Sequence, residues 1–446
     1  MKKFTPLLLS GSFYWLALTV NATNTAGLPT QMQRGEYVAR TADCMACHTA
    51  NNQPAYAGGL AIKSPMGTIY STNITPDKTA GIGDYSLEDF SRAVRQGINK
   101  KGQYLYPAMP YPSYQKMSDR DLNDLYVWIM NGIKPFSQSA PETHLTFPFN
   151  LRFGLRFWNG LFTDSGPFQP KVNTGAEINR GAYLTEGPGH CGSCHTPRGI
   201  AMQEKAYDSR SADYLSGGTL DGWAVPALRA ADQGGRGISQ WSRTDIVRYL
   251  QTGRNQHASV AGEMRSVIQH STRYLHESDL EAIAAYLKSL PPAPAISPLK
   301  SDSEAAKTTL QLTQATHLSP GQQLYLDNCS GCHFADGQGD APAFPPLDGN
   351  ELINADNPQG FLTVILQGAR LPSTPTAPSQ LAMPDFGWRL NDNQLAELAT
   401  FVRQGWHNDA PAVSPEQVNS VRKKQPPPTK SSRPQDVDGI THYHSH

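Results

Sequence analysis

The chain has 446 residues, enough for roughly two to four domains of ordinary size. Lysine plus arginine and aspartate plus glutamate both number 38, so the formal charge is zero and nothing asks for a nucleic-acid partner. Only 38% of residues are hydrophobic while Gly (38) and Pro (35) are abundant, which argues against one large sheet or bundle and for small domains with long irregular loops.

In chain order, Lys2 and Lys3 followed by the mostly apolar run Leu7 to Val20 read as a signal peptide over residues 1–26, with Val20-Asn21-Ala22 or Asn24-Thr25-Ala26 before the cut. The alternative is a retained anchor, but the run is short for a full span, and no later stretch approaches the roughly 18 apolar residues of a spanning helix. Three similar units are expected next, at 27–133, 175–290 and 315–407. Each opens with a helix-like stretch in which a glycine is followed closely by a tyrosine: Gly35 and Tyr37, Gly181 and Tyr183, Gly321 and Tyr325. The glycine is expected to let another helix or backbone approach closely. Each unit closes with an amphipathic helix behind a capping signal: Ser118 before Leu122, Leu125 and Ile129; Ser278 before Leu280, Ile283 and Leu287; Asn391 before Leu395, Leu398 and Val402. Residues 134–174 form an aromatic connector, expected to be ordered against a neighbour. Residues 291–314 are expected as a Pro-rich linker and 408–446 as a polar, disordered tail, in which His442, His444 and His446 read as solvated.

The cysteines carry the strongest signal. There are six, as Cys44 and Cys47, Cys191 and Cys194, Cys329 and Cys332, and each pair is followed at once by a histidine: His48, His195 and His333. Cys-x-x-Cys-His is the sequence form of c-type haem attachment, two thioethers to the haem and the next imidazole on the iron. Three disulfides, redox dithiols or zinc sites are the rival readings, and none of them requires a histidine at the same adjacent place three times. The expected cofactors are three covalently bound haem c groups, one per unit, the motifs falling 147 and 138 residues apart. The fold class expected is mostly α, three tandem class I cytochrome c domains with long irregular loops.

An iron that carries electrons without binding substrate needs a sixth ligand, and methionine raises its potential. Met383 is the only methionine after the third motif and stands before Pro384; Met109 stands before Pro110, just ahead of the first unit's last helix. Proline stiffens a ligand loop. In the second unit Met264 is preferred over Met202, which lies only seven residues past His195; Met264 lacks a following proline, and His257, His270 and His276 are the alternatives there. Trp223-Ala224-Val225-Pro226 and Phe344-Pro345-Pro346-Leu347 are expected as apolar haem wall, and Arg95, Arg248 and Arg403 as candidates to pair with propionates.

These strings, with Thr72-Asn73-Ile74-Thr75-Pro76-Asp77 and Leu105-Tyr106-Pro107-Ala108-Met109-Pro110-Tyr111, resemble the triheme cytochrome c subunit of bacterial membrane-associated dehydrogenases of the alcohol, gluconate, sorbitol, fructose and aldehyde type. The resemblance covers about residues 30 to 407. It implies a periplasmic electron-transfer subunit on the outer face of the inner membrane, held there through its partner. That partner is a dehydrogenase catalytic subunit of flavin, quinone-cofactor or molybdenum type, and the acceptor is ubiquinone or another cytochrome. It also supports Met109, Met264 and Met383 as the axial set. Some relatives anchor through an apolar C-terminal segment, from which this polar tail departs. The subunit is expected to do no substrate chemistry alone. Rival functions are a stand-alone periplasmic multihaem carrier, an adaptor in which one haem donates electrons and the remaining bulk mainly binds the partner, and a peroxidase-like haem enzyme with an open iron position.

Overall fold

A computed structural model of the chain describes Met1 and residues 30–64, 66–163, 166–230, 237–292 and 299–424. The expected signal peptide beyond Met1, and residues 425–446 with their three histidines, lie outside the described residues.

The chain is mostly helical, with small two- and three-stranded antiparallel sheets. The first unit runs through α1 (Gln31–Thr41), α2 (Cys44–Cys47), β1 (Ala61–Ser64), β2 (Gly67–Tyr70), α3 (Leu87–Gln96), α4 (Tyr111–Tyr114) and α5 (Asp119–Gly132). A connector follows with β3 (His144–Leu145) and α6 (Gly154–Phe162). The second unit holds α7 (Ala176–Glu186), α8 (Gly192–His195), β4 (Gly218–Leu220), β5 (Trp223–Val225), α9 (Arg243–Thr252), α10 (Met264–His270) and α11 (Glu277–Ser289). The third holds α12 (Asp302–Gln314), α13 (Pro320–Asn328), α14 (Ser330–His333), α15 (Glu351–Asn354), α16 (Gln359–Gln367), β6 (Ala369–Arg370), β7 (Ala382–Met383), α17 (Asp392–Gln404) and α18 (Pro415–Lys424).

Each unit has its own core, and in each the helix before the cysteine turn crosses a late long helix: α1 on α5, α7 on α11 and α13 on α17. Val38, Leu122, Leu125 and Ile129 fill the first core; Leu184, Leu280 and Ala284 belong to the second; Tyr325, Leu395, Leu398 and Val402 to the third. The crossing point is a glycine every time. A Cβ on Gly35 would run into the Asp124 carbonyl of α5, one on Gly181 into the Ala282 carbonyl of α11, and one on Gly321 into the Glu397 carbonyl of α17. The expected close approach is therefore backbone against backbone in all three units.

Capping follows the sequence in two units and departs from it in one. Ser118 accepts from the Asp121 amide, and Asn391 forms a capping box with Gln394. In the second unit Ser278 lies inside α11, and the N-cap is His276, whose side chain makes no capping bond. Tyr37 of the first unit fills the gap: its hydroxyl accepts from the His276 amide at 3.1 Å, donates to Asp279 Oδ2 at 2.6 Å, and its ring stacks on His276 at 4.5 Å. Tyr183 makes the reciprocal contact, its hydroxyl donating to Asp121 of α5. The first two units thus exchange the same tyrosine for the same aspartate, as two halves related by a pseudo-two-fold axis do. In the third unit the tyrosine stands four residues after the glycine instead of two, and Tyr325 turns inward, donating to the Phe334 carbonyl at 2.6 Å.

The described part of the connector packs against both units: β3 extends the β1–β2 sheet, with Gly67 opposite Leu145, and Trp158 Nε1 donates to the Ala201 carbonyl of the second unit at 2.9 Å. Two expected segments need correction. The linker expected over 291–314 contains α12, started by a Ser301–Glu304 capping box and burying Ala305 and Leu312 in the third core. The tail expected to be disordered from 408 is folded as far as 424. Val413, Val418 and Val421 are buried, and Arg422 bonds Asp392 and the Leu390 carbonyl. Its polar average composition hid Val418 and Val421, three residues apart on one face of α18.

Substituting Gly181→Val should lower unfolding stability by about 3 kcal/mol, because neither helix backbone can yield; denaturant unfolding measures it, and an unchanged midpoint would contradict the crossing. A second test concerns His407, which donates its amide to Asp348 Oδ1 at 2.9 Å and places Nδ1 2.7 Å from Asp348 Oδ2. Burial alone would lower its pKa, but the bond and charge of Asp348, with Asp302 beyond, outweigh that and raise it above 6.5. The charged form stabilises the fold fully below the unfolded-state pKa, and the gain is lost as pH rises through the folded-state pKa. The stability advantage of wild type over His407→Gln should therefore be larger at about pH 6 than at about pH 8.

Candidate functional site

The three Cys-x-x-Cys-His strings fold the same way. The amide of His48 donates to the Cys44 carbonyl, that of His195 to Cys191 and that of His333 to Cys329, each at 3.0 Å. This single helical turn places the first cysteine and the histidine on one face, which explains the fixed spacing. All six cysteines are unbonded thiols. Burial pushes the thiols of Cys44, Cys191 and Cys329 up to about 12 and those of Cys47 and Cys194 up to about 11, against a reactive redox dithiol. Among the described residues no three His, Cys, Asp or Glu side chains gather as a metal cage.

Each imidazole is oriented by a backbone carbonyl. Nδ1 lies 2.7 Å from the Thr72 oxygen in His48, 2.8 Å from the Pro226 oxygen in His195 and 3.0 Å from the Pro345 oxygen in His333. A carbonyl can only accept, so Nδ1 carries the proton and Nε2 keeps its lone pair, the tautomer an iron ligand needs. Burial lowers the pKa of all three histidines below 6.5, which keeps them neutral. The orienting loops are themselves fastened. Asn73, next to Thr72, donates to the Phe136 carbonyl at 2.7 Å and accepts from the Thr75 amide at 2.8 Å, tying the loop to the start of the connector.

The methionines fall on the same surfaces. Cys191, Cys194, His195 and Met264, and Cys329, Cys332, His333 and Met383, all line one cavity of about 1370 Å³ that runs between the second and third units. Trp223 to Pro226 and Phe344 to Leu347 form parts of its wall. In the first unit Cys44 and Met109 pack against the same core cluster. Met109 sits in a turn, its amide donating to the Tyr106 carbonyl at 3.1 Å; Met383 is held in β7 opposite Ala369; Met264 is the first residue of α10. Met117 is wholly buried in the first core and Met202 is exposed. The arginine readings fare unevenly. Arg403 is completely buried and spends itself on the carbonyls of Ile353, Ala355 and Pro411, while Arg95 bonds the Met117 carbonyl and pairs with Asp119. Arg248 is exposed.

The sites adjoin. α10 packs against α2, the first unit's attachment turn, and the Cys47 thiol feels Asp43, then Cys194 and Glu263 of the second unit, behind the main effect of burial. On the other side Val260, Met264 and Ile268 share a small core with Leu371 and Leu381 of the third unit. Two carboxyls flank the turns. Burial raises Asp43 to about 8, its Oδ1 buried without a hydrogen-bond partner at the cavity wall, and raises Glu204, bonded to Ser193, to about 7. Sequence reasoning missed these carboxyls and the three carbonyl acceptors. A main-chain oxygen has no sequence signature, and an Asp beside a cysteine looks like any surface acid.

The donor set fits covalent haem: paired unbonded thiols, an imidazole with Nε2 free, and a large apolar-walled cavity holding a thioether. A cytochrome c family model matches residues 32–132 and 318–406, which contain the first and third motifs with Met109 and Met383. Over 395 residues the chain is 45% identical to the cytochrome c subunit of the quinone-type alcohol dehydrogenase of Gluconobacter oxydans, covering 88% of this chain and 82% of that protein. It is 42% identical to the gluconate 2-dehydrogenase cytochrome c subunit of Pantoea cypripedii, over 95% of this chain and 96% of that one, and 37% identical to the fructose dehydrogenase cytochrome subunit of Gluconobacter japonicus. The chain belongs to this family of dehydrogenase cytochrome c subunits. In a cytochrome c subunit the two family-model segments account for the first and third units, and the second motif lies between them on a fold with the same crossed helices, cysteine turn and oriented histidine.

Proposed function

We propose that this cytochrome c subunit carries three haem c groups in three tandem class I domains. In this reading it acts on the periplasmic side, passing electrons from a dehydrogenase catalytic subunit to ubiquinone or another cytochrome. The observation that carries the reading is the threefold turn in which a Cys-x-x-Cys-His string ends in an imidazole whose Nδ1 is spent on a carbonyl. Haem c supplies reversible one-electron chemistry at iron. Cys44 and Cys47, Cys191 and Cys194, and Cys329 and Cys332 would hold it covalently. Nε2 of His48, His195 and His333 would be the proximal ligand, and the sulfurs of Met109, Met264 and Met383 the distal ones. Two strong protein ligands leave no open position for substrate, which favours electron transfer over peroxidase-like chemistry. The catalytic partner is supported by the names of the relatives, each a cytochrome subunit of a dehydrogenase.

The placement of α10 supports an order. It touches the attachment turn of the first unit and shares a core with the third, so the second site lies between the other two. The chain's own contribution is to fix the imidazoles by carbonyls, present the thioethers from packed loops and a helix start, and wall the cavity with apolar side chains against water.

Two measurements test this. Purification of the native complex should recover a dehydrogenase subunit, and pyridine haemochrome analysis should count three haems per chain; recovery of the chain alone would favour a stand-alone carrier. The Met264→His variant should lower the midpoint potential of one redox step and leave the other two in place. A high-spin ferric signal in the untouched wild type would instead favour an open iron position and the peroxidase-like reading.

A further inference from the structure

The second attachment turn differs from the other two in what stands between its cysteines. There it has Gly192 and Ser193, where the first motif has Met45 and Ala46 and the third has Ser330 and Gly331. Only the second carries a glycine followed by a hydroxyl, and both are used. A Cβ on Gly192 would come within 3.0 Å of Glu204 Oε2 and 3.1 Å of the Tyr214 ring, and the Ser193 hydroxyl donates to Glu204 Oε1 at 3.0 Å. The intervening loop folds the carboxyl back onto the turn: the Gly199 amide donates to the Gln203 carbonyl and the Lys205 amide to that of Pro197, each at 2.9 Å. Glu204 is only 7% exposed, and its Oε2 is buried without a hydrogen-bond partner.

A carboxylate buried for structural reasons is ordinarily paired with a cation or bound by several donors. Glu204 has one hydroxyl. The cations that face it are spent elsewhere. Arg198 donates to the Ser193 and Met202 carbonyls at 2.6 and 2.7 Å, and Lys116 of the first unit donates to Glu186 at 3.1 Å and to the Tyr207 carbonyl at 2.6 Å. The other titratable groups around it are Tyr207, Tyr214 and Cys194. Burial keeps both phenols neutral, and the cysteine is an attachment point of the proposed haem. Burial raises the Glu204 carboxyl to about 7, against the Arg198 charge, the Ser193 bond and the Lys116 charge. The group is therefore poised between its two forms near neutrality, one hydrogen bond from a Cys-x-x-Cys-His turn. Added negative charge close by favours the protonated form. We propose that Glu204 is the proton acceptor coupled to the middle site: its carboxylate takes one proton from water, forming an O–H bond, as the iron proposed at His195 goes from ferric to ferrous with one electron from the dehydrogenase subunit. Electron and proton arrive together, so the buried site gains no net charge. The inference rests on Cys191, Cys194, His195 and Met264 holding a haem, and it makes the middle relay the one whose driving force depends on pH through a protein carboxyl.

The test is a potentiometric titration of the purified, haem-loaded full chain, followed in the visible spectrum at several pH values. The step belonging to the middle site is the one that Met264→His shifts. In the wild type its midpoint should fall as pH rises from about 6 to about 8, because an ionised carboxylate opposes the added electron. Glu204→Gln keeps an acceptor for the Ser193 hydroxyl and removes the charge, so it should hold that step near its low-pH wild-type value across the range. Ser193→Ala, which copies the alanine of the first motif, removes a bond that favours the carboxylate, and the fall should move to higher pH. Reduced-minus-oxidised infrared spectra need no variant: at about pH 8 a protonated-carboxyl band should appear in the wild type on reduction. A middle step that is flat in pH, or no such band, would overturn the proposal. So would a Glu204→Gln step that keeps the wild-type slope, which would give the proton to a propionate; a merely structural role for Glu204 would likewise displace the midpoint and leave its slope. A chain without haem on Cys191 and Cys194 would sink the haem reading and this inference together, whereas three haems with a pH-independent middle step would sink this inference alone.

Discussion

Everything in this molecule hangs on helices that cross without a side chain between them. At Gly35, Gly181 and Gly321 the helix before the cysteine turn lies on a carbonyl of α5, α11 or α17, and the close crossing fixes where the chain can go next. Eight to ten residues further on, the cysteine turn begins, so its position relative to the closing helix is set by the crossing rather than by the turn. A four-residue helix such as α2 or α8 has almost no stability of its own. Covalent haem attachment through such a turn is workable because the crossing has already fixed both of its ends.

The same crossing creates the unequal relation among the units. With the tyrosine two residues after the glycine, the hydroxyls of Tyr37 and Tyr183 reach out of their own units to Asp279 and Asp121 at the starts of the neighbours' closing helices. With the tyrosine four residues after it, the Tyr325 hydroxyl comes back inside, to the end of its own cysteine turn. A shift of two residues turns the side chain about 200° around the helix. The first and second units can therefore pair face to face, and the third must dock elsewhere. It does so through the second unit's loops: Asn357 and Gln359 donate to the Gly222 and Asp221 carbonyls, and Arg273 to that of Ser373.

What the sequence made legible was whatever depends on residue type at fixed spacing: the cysteine turns, the crossing glycines, the closing helices and their apolar faces, and two of the three caps. What it concealed depended on the main chain or on a partner far along the chain. The carbonyls of Thr72, Pro226 and Pro345 orient the histidines, yet only the apolar loops around them could be anticipated. The cap of α11 is missing from its own sequence because Tyr37, some 240 residues earlier, supplies the contact. Helices α12 and α18 were lost to averaging: one adjoins a proline-rich stretch and the other carries only two valines, Val418 and Val421, in a charged tail.

The middle site shows why motif reading weakens where tertiary packing takes over. Met109 and Met383 precede prolines, which stiffen their loops by fixing φ. Met264 has no such neighbour, and its firmness must come from elsewhere. It opens α10, whose hydrogen bonds order it from behind, and α10 is gripped by the first unit's attachment turn on one side and by Leu371 and Leu381 on the other. Met264, the ligand proposed for the middle site, is therefore held by both neighbours. A disturbance at either flanking unit bears on the geometry of Met264, whereas Met109 and Met383 answer mainly to their own loops.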